Sequence, residues 1–288
     1  MESTLMELDV AYAACEEITR AEARNFSYGI RLLPDEKRKA MSALYAFARR
    51  VDDIGDGTLP VDEKRAALEA VRGRARGLVA GSIDAADPIS VALGDAIRRY
   101  PIAADELIEV VDGCEMDCST SSYVSFDDLA AYCRLVAGSI GRLSLSIFGS
   151  SDPAAPHLAD TLGLGLQLTN ILRDVIEDRD VMGRVYLPLE DLIRFSCSPD
   201  VGGDPDHLAE LLRFEAGRAR AFYSEGLGLL DLLDRRSKAC VSAMSGIYLR
   251  LLRRIEANPL AVLDRRVSLP AWEKAWVALR SLAGASAS

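Results

Sequence analysis

The chain has 288 residues, 49% of them apolar and 27% charged, with 34 Lys and Arg against 44 Asp and Glu for a net charge of −10. This is globular composition, neither disordered nor fibrous, and an acidic chain lacks the basic surface that nucleic-acid phosphates require. The length suits one large domain or two, and can bury a core with room for an apolar cavity.

The opening run Met1 to Val10 is acidic and lacks the basic n-region of a signal peptide. No stretch reaches the roughly 18 uninterrupted apolar residues of a membrane span; the most apolar, Leu135 to Phe148, is broken by Arg142. Six cysteines (Cys15, Cys114, Cys118, Cys133, Cys197, Cys240) show no CxxC spacing. Cys114 and Cys118 share a helix face, but His157 and His207 are remote in sequence, so buried free thiols are favoured over a zinc site. These features predict a cytoplasmic, reducing location.

Helical periodicity runs through Leu8 to Arg24, Asp35 to Asp56, Val61 to Leu78, Pro88 to Tyr100 and Ala104 to Asp117. It continues through Phe126 to Phe148, Pro153 to Asp178, His207 to Leu233, Ser237 to Ala257 and Pro270 to Leu282. Breakers separate these segments at Leu33-Pro34, Gly57 to Pro60, Gly81 to Pro88, Gly149 to Pro153, Ser196 to Pro205 and Asn258-Pro259. Ser125 before Phe126 and Asp152 before Pro153 read as helix caps. With no repeat and no long linker, residues 1–288 read as one all-α domain of about ten helices.

Two acidic sets close helices. Arg49-Arg50-Val51-Asp52-Asp53-Ile54-Gly55-Asp56 ends one, and Asn170-Ile171-Leu172-Arg173-Asp174-Val175-Ile176-Glu177-Asp178 ends another. Four-residue spacing aligns Asp52 with Asp56, and Asn170 with Asp174 and Asp178. Like charges so placed repel, and Mg²⁺ shared with substrate phosphates would reverse the sign. Among 26 aspartates, about two such pairs arise by chance, and Asp200/Asp204 forms another in a Gly/Pro-rich loop. The apolar stretches preceding each set, and the arginines Arg49, Arg50 and Arg173 beside them, suit a phosphate held by metal and guanidinium at a cavity mouth. Ordinary helical ion pairing explains the arginines equally well.

Six blocks in order resemble the squalene/phytoene synthase family: Asn25 to Pro34, Ala43 to Asp53, Glu115-Met116-Asp117, Tyr132 to Gly141, Leu166 to Asp178 and Gly183 to Pro188. The likeness runs from about residue 20 to 255 and looks nearest to bacterial presqualene diphosphate synthases of the hopanoid pathway. It implies an isoprenoid-synthase fold around a central apolar cavity. It also implies Mg²⁺-dependent (or Mn²⁺-dependent) head-to-head condensation of two farnesyl diphosphates to presqualene diphosphate.

By the same resemblance, Asp52, Asp53 and Asp56 match the first metal motif and Asn170, Asp174 and Asp178 the second. Tyr45, Arg49, Arg173 and Tyr186 match the diphosphate site. Tyr132 matches a tyrosine near the reacting carbons, Tyr248 a second cavity tyrosine, and Phe26 a flap-like opening segment. Either a tyrosine hydroxyl or the released diphosphate takes the proton. The segment Asp117 to Tyr123 lacks a basic residue common in relatives, Gly165 replaces a commoner alanine at the expected cavity wall, and Asp180-Val181-Met182 is a variable stretch.

Within predicted helices, Gly138, Gly141, Gly163 and Gly165 each cost about 1 kcal/mol relative to Ala. Close substrate approach and tight helix packing explain them equally. Alternatives are phytoene synthase acting on two geranylgeranyl diphosphates, and dehydrosqualene or squalene synthase, the last with NADPH, for which no dinucleotide fingerprint is present. A class I terpene cyclase acting on one prenyl diphosphate is a different class. A helical partner protein without activity is disfavoured by the intact aspartates. The lipophilic product suggests peripheral contact with a membrane or with downstream isoprenoid enzymes. Arg218 to Phe222 and Leu249 to Arg254 are the arginine-bearing candidates for docking, or simply solvated faces.

Overall fold

The structure, a computed structural model, describes residues 7–284. Most of the acidic opening run, residues 1–6, therefore lies outside the described residues. Among those described, the chain is helical throughout, with one isolated β-bridge, Ser122 to Val185.

The chain begins with α1 (Leu8–Glu22), α2 (Phe26–Ile30), α3 (Asp35–Asp56), α4 (Val61–Val79), α5 (Pro88–Arg99) and α6 (Ala104–Asp117). Next, α7 (Phe126–Cys133) passes through a π-helical turn (Arg134–Gly138) into α8 (Ser139–Phe148). Then come α9 (Ala155–Asp180), α10 (Leu189–Arg194), α11 (Pro205–Gly226) with a 3₁₀ turn after it, α12 (Arg235–Ala257), α13 (Ala261–Asp264) and α14 (Ala271–Leu282). The expected all-α class is present, and the short helices α2, α10 and α13 fall where periodicity is too brief to read.

Side-chain caps open four of the helices. Ser125 and Asp128 form a reciprocal capping box at α7. Asp87 caps α5 ahead of Pro88, and Asp234 accepts from the Arg236 and Ser237 amides at α12. Asp204 caps α11, which explains one member of the Asp200/Asp204 pair without any metal. The Asp152-Pro153 signal instead makes a turn. Asp152 accepts from the Ala154 amide, and α9 begins two residues later, with Pro156 in its first turn.

Helix α9 is the central rod. It packs most extensively on α11 and also contacts α8, α12 and the π turn. Its crossing with α8 and the π turn ahead of it is close because the contact is made by glycines. A Cβ at Gly141 would lie 2.5 Å from the Ala159 carbonyl oxygen, and one at Gly163 would lie 2.6 Å from that of Ala137. Tight packing is thus sufficient reason for both. Gly165 faces α11, not the cavity wall, with Ala219, Phe222 and Tyr223 around it at 3.4 Å.

All six cysteines are free thiols, five of them buried. The Cys114 thiol donates to the Val51 carbonyl at 3.2 Å, tying α6 to α3 rather than holding a metal.

Candidate active site

A cavity of about 660 Å³ opens between α3, α6, α8, α9 and α12. Its apolar depth includes Ile30, Leu44, Ile140, Phe148, Leu162 and Met244. Lining residues on α9 run from Ala159 to Asp178, about 28 Å of helix at 1.5 Å per residue. The π turn after Tyr132 offsets the register of α7 and α8, so that Tyr132, Val136, Ala137, Ile140 and Ser144 all reach the lining.

At the mouth, the C-terminal ends of α3 and α9 bring Asp52 and Asp56 to the same opening as Asn170, Asp174 and Asp178. Carboxylates at helix C-termini oppose the macrodipole as well as one another. Asp52 stays exposed at the opening, yet the protein atoms crowded around its carboxyl, and then Asp56, push it upward, with Arg49 opposing. Asp178 is likewise raised to about 7 by burial, then by Asp174 and Glu177. The Asn170 Oδ1 is buried without a hydrogen-bond partner.

This donor set fits a divalent cation, whose charge would lower each of these costs. Among the described residues no three His, Cys, Asp or Glu side chains close into a preformed metal cage. Mg²⁺ commonly takes only one or two carboxylates and completes its shell with water and substrate phosphate.

Phe26, Tyr45, Arg49, Tyr132, Arg173 and Tyr186 also line the cavity. Two expected site residues do not. Asp53 is turned outward, 57% exposed and paired with Arg49 at 2.7 Å, because it follows Asp52 by one residue on the helix. Tyr248 is buried just behind the lining, its ring 5.5 Å from that of Phe26 and its hydroxyl beside the Arg173 guanidinium. Arg50 faces α5, where Asp87 accepts from it at 2.8 Å; ordinary ion pairing accounts for this arginine. Arg173 sits at the mouth and donates to Asp174 at 2.8 Å.

The structure adds residues that spacing did not single out. Asp117 accepts from the Tyr132 and Tyr186 hydroxyls, both at 2.8 Å. Burial raises the Asp117 carboxyl, while Arg184 and the two hydroxyls hold it down. Tyr123 completes the cluster, its ring 5.4 Å from Tyr132 and 5.9 Å from Tyr186. Burial keeps the Tyr132 phenol well above its ordinary range and therefore neutral.

Arg184 lies 3.3 Å from Asp56 and 3.9 Å from Asp117. It is delivered by a tight turn in which Gly183 takes φ +68° and the Arg184 amide bonds back to the Asp178 carbonyl. Arg266, from the segment after α13, reaches Asp174 at 2.9 Å and Glu177 at 3.4 Å. Asp117 and Arg184 lie inside recognised sequence blocks but carry no periodic signal, and Arg266 lies beyond them.

An all-α cavity with acidic helix ends facing across its mouth defines a class of enzyme that handles a polyanionic head group and an apolar chain. The squalene/phytoene synthase family matches residues 19–273. A phytoene synthase of Mycobacterium tuberculosis is 49% identical over 97% of this chain and 93% of its own. One from Arthrospira platensis is 35% identical over 92% of this chain and 90% of its own. Among solved structures, a dehydrosqualene synthase in complex with ligand superposes with a TM-score of 0.83 at 26% identity, covering 96% of this chain and 97% of that one. A squalene synthase of Alicyclobacillus acidocaldarius gives 0.80 at 28% identity, covering 87% and 94%. The chain belongs to the squalene/phytoene synthase family, whose members are prenyltransferases that join prenyl chains head to head.

Proposed function

We propose that this protein condenses two geranylgeranyl diphosphates head to head and forms phytoene. The observation that carries the reaction is the pair of acidic helix ends, Asp52/Asp56 and Asp174/Asp178, at the mouth of one apolar cavity. The C20 substrate is favoured by the 49% identity, over nearly the whole chain, to relatives named phytoene synthase. That likeness outweighs the presqualene diphosphate reading drawn from the sequence blocks.

Reaction requires a diphosphate to leave an allylic carbon. A divalent cation bound by the acidic residues would supply charge stabilisation to the leaving oxygens. Arg49, Arg173, Arg184 and Arg266 stand at the mouth as donors to the same oxygens. The apolar depth excludes water, which would quench an allylic cation.

Tyr132 and Tyr186 each spend their hydroxyl hydrogen on Asp117, which leaves their oxygen lone pairs free to face positive charge in the cavity. Tyr132 is thereby placed to take the proton lost as the second chain's double bond closes a cyclopropane while handing its own hydroxyl hydrogen to the Asp117 carboxylate, which ends the step protonated. The second diphosphate then departs with a further proton. Two C20 chains so joined, less two protons, make phytoene without a reductant.

A second reading, two farnesyl diphosphates giving a C30 product, is favoured by the likeness to dehydrosqualene and squalene synthases. Incubation of purified protein with each prenyl diphosphate and Mg²⁺, with and without NADPH, separates the two. A C40 hydrocarbon with a central conjugated triene, formed from geranylgeranyl diphosphate without NADPH, is expected. Turnover of farnesyl diphosphate alone to a C30 product would overturn the C20 assignment, and a product from a single chain would overturn the reaction.

A further inference from the structure

Helix α14 carries an apolar face with no partner among the described residues. Trp272 is 70% exposed, Trp276 52% and Leu279 62%. Spacing of four and three residues aligns them in one stripe, and the opposite side of the helix, with Glu273, Val277 and Ala278, packs on α12. Large apolar side chains grouped on one surface mark an interaction site, whereas isolated ones do not. Tryptophan at such a surface is the residue type that settles at a lipid–water interface.

Charge identifies the occupant. Residues 235–288 carry ten Lys and Arg against three Asp and Glu, in a chain whose net charge is −10. Within this basic segment Glu273 occupies Arg250 and Arg254. Arg253 and Arg265 are exposed and form no ion pair among the described residues, and Arg280 flanks the stripe. Of the stretches that the sequence offers for docking, Arg218 to Phe222 is used elsewhere, and Leu249 to Arg254 keeps only Arg253 unpaired among the described residues. Arg218 is held by Asp191 and Glu215 and lies 3.9 Å over the Phe126 ring, and Leu249, Leu251 and Leu252 are buried.

Helix α14 stands one helix away from the cavity. Helix α14 packs on α2, whose Phe26 lines the cavity, and Lys274 of α14 reaches the Arg24 carbonyl at 3.5 Å. No helix among the described residues is long and apolar enough to cross a membrane.

We propose that Trp272, Trp276 and Leu279, together with the unpaired arginines of this basic C-terminal segment, dock on the surface of an anionic lipid bilayer. This goes beyond the proposed reaction and is tested without turnover. The chain's two tryptophans are both in this stripe, so intrinsic fluorescence reports the contact directly. Vesicles of phosphatidylglycerol and phosphatidylcholine should blue-shift the emission, and brominated lipid should quench it. The full chain should co-sediment with them, less so with phosphatidylcholine alone or at high salt.

Trp272→Glu/Trp276→Glu should weaken co-sedimentation at least about tenfold, with circular dichroism and detergent-assayed turnover unchanged. Arg253→Glu/Arg265→Glu keeps both tryptophans and should weaken binding while preserving the fluorescence readout. Absence of shift, quenching and co-sedimentation in the wild type would overturn the proposal. So would a dimer that the tryptophan double variant dissolves in protein that ignores vesicles, which would assign the face to a second copy.

Discussion

The Tyr132 hydroxyl donates to Asp117 across 2.8 Å, and Tyr186 donates to the other oxygen of the same carboxylate. One buried acid on α6 thus sets the orientation of two phenols from separate segments. Asp117→Leu removes both acceptors and frees both rings. We expect kcat to fall about 10²-fold with KM little changed, since the loss falls on transition-state orientation. Tyr132→Phe should show the same split, and the double variant should be no worse than the poorer single one. Additive losses in steady-state kinetics would separate the two residues.

Asp52→Ala and Asp174→Ala should each lower turnover by about 10³-fold or more, without loss of helical content by circular dichroism. In thermal melts, Mg²⁺ with inorganic diphosphate should stabilise the wild type and not these variants, because only the folded site binds them. Asp53→Ala should be far milder, since that carboxyl points outward to Arg49. A wild-type melt indifferent to Mg²⁺ and diphosphate would remove the acidic pairs from cation binding.

Stability should also depend on pH through a site remote from the cavity. Arg218 donates to Asp191 at 2.8 Å and to both Glu215 oxygens at 2.9 Å, all within buried surroundings. Burial, and secondarily Asp191, push Glu215 up to about 8 against the pull of Arg218. The folded state therefore holds a proton that the unfolded chain releases near its ordinary carboxyl range. Stability contributed by this group is greatest at low pH and declines as pH rises from about 5 to 8. Glu215→Gln should flatten that part of the profile. The difference between wild-type and variant melting temperatures across this range isolates Glu215 from Asp52 and Asp178.

The α8–α9 crossing leaves no room for a side chain. Gly163→Ala would press a methyl group against the Ala137 carbonyl, and Gly141→Ala would meet that of Ala159. Each should cost about 1–3 kcal/mol in denaturant unfolding. Gly165→Ala, whose neighbours stand at 3.4 Å, should be nearly neutral by comparison.

Periodicity and punctuation were enough to place the long helices, because amphipathic helices repeat at 3.6 residues and caps are local chemistry. Four-residue spacing likewise grouped Asp52 with Asp56, and Asn170 with Asp174 and Asp178, while the ordered blocks carried the family. Other features are settled only by folding. Asp53 lies in the right motif but points outward, and Tyr248 packs behind Phe26 instead of lining the cavity, since orientation depends on how each helix is rotated in the bundle. Asp117, Arg184 and Arg266 meet the site from segments far apart in the chain, so no local pattern announces them. The same holds for the glycines, whose packing role exists only where α8 meets α9. It holds too for α14, whose periodicity over Pro270 to Leu282 gives a helix but not which of its faces meets α12.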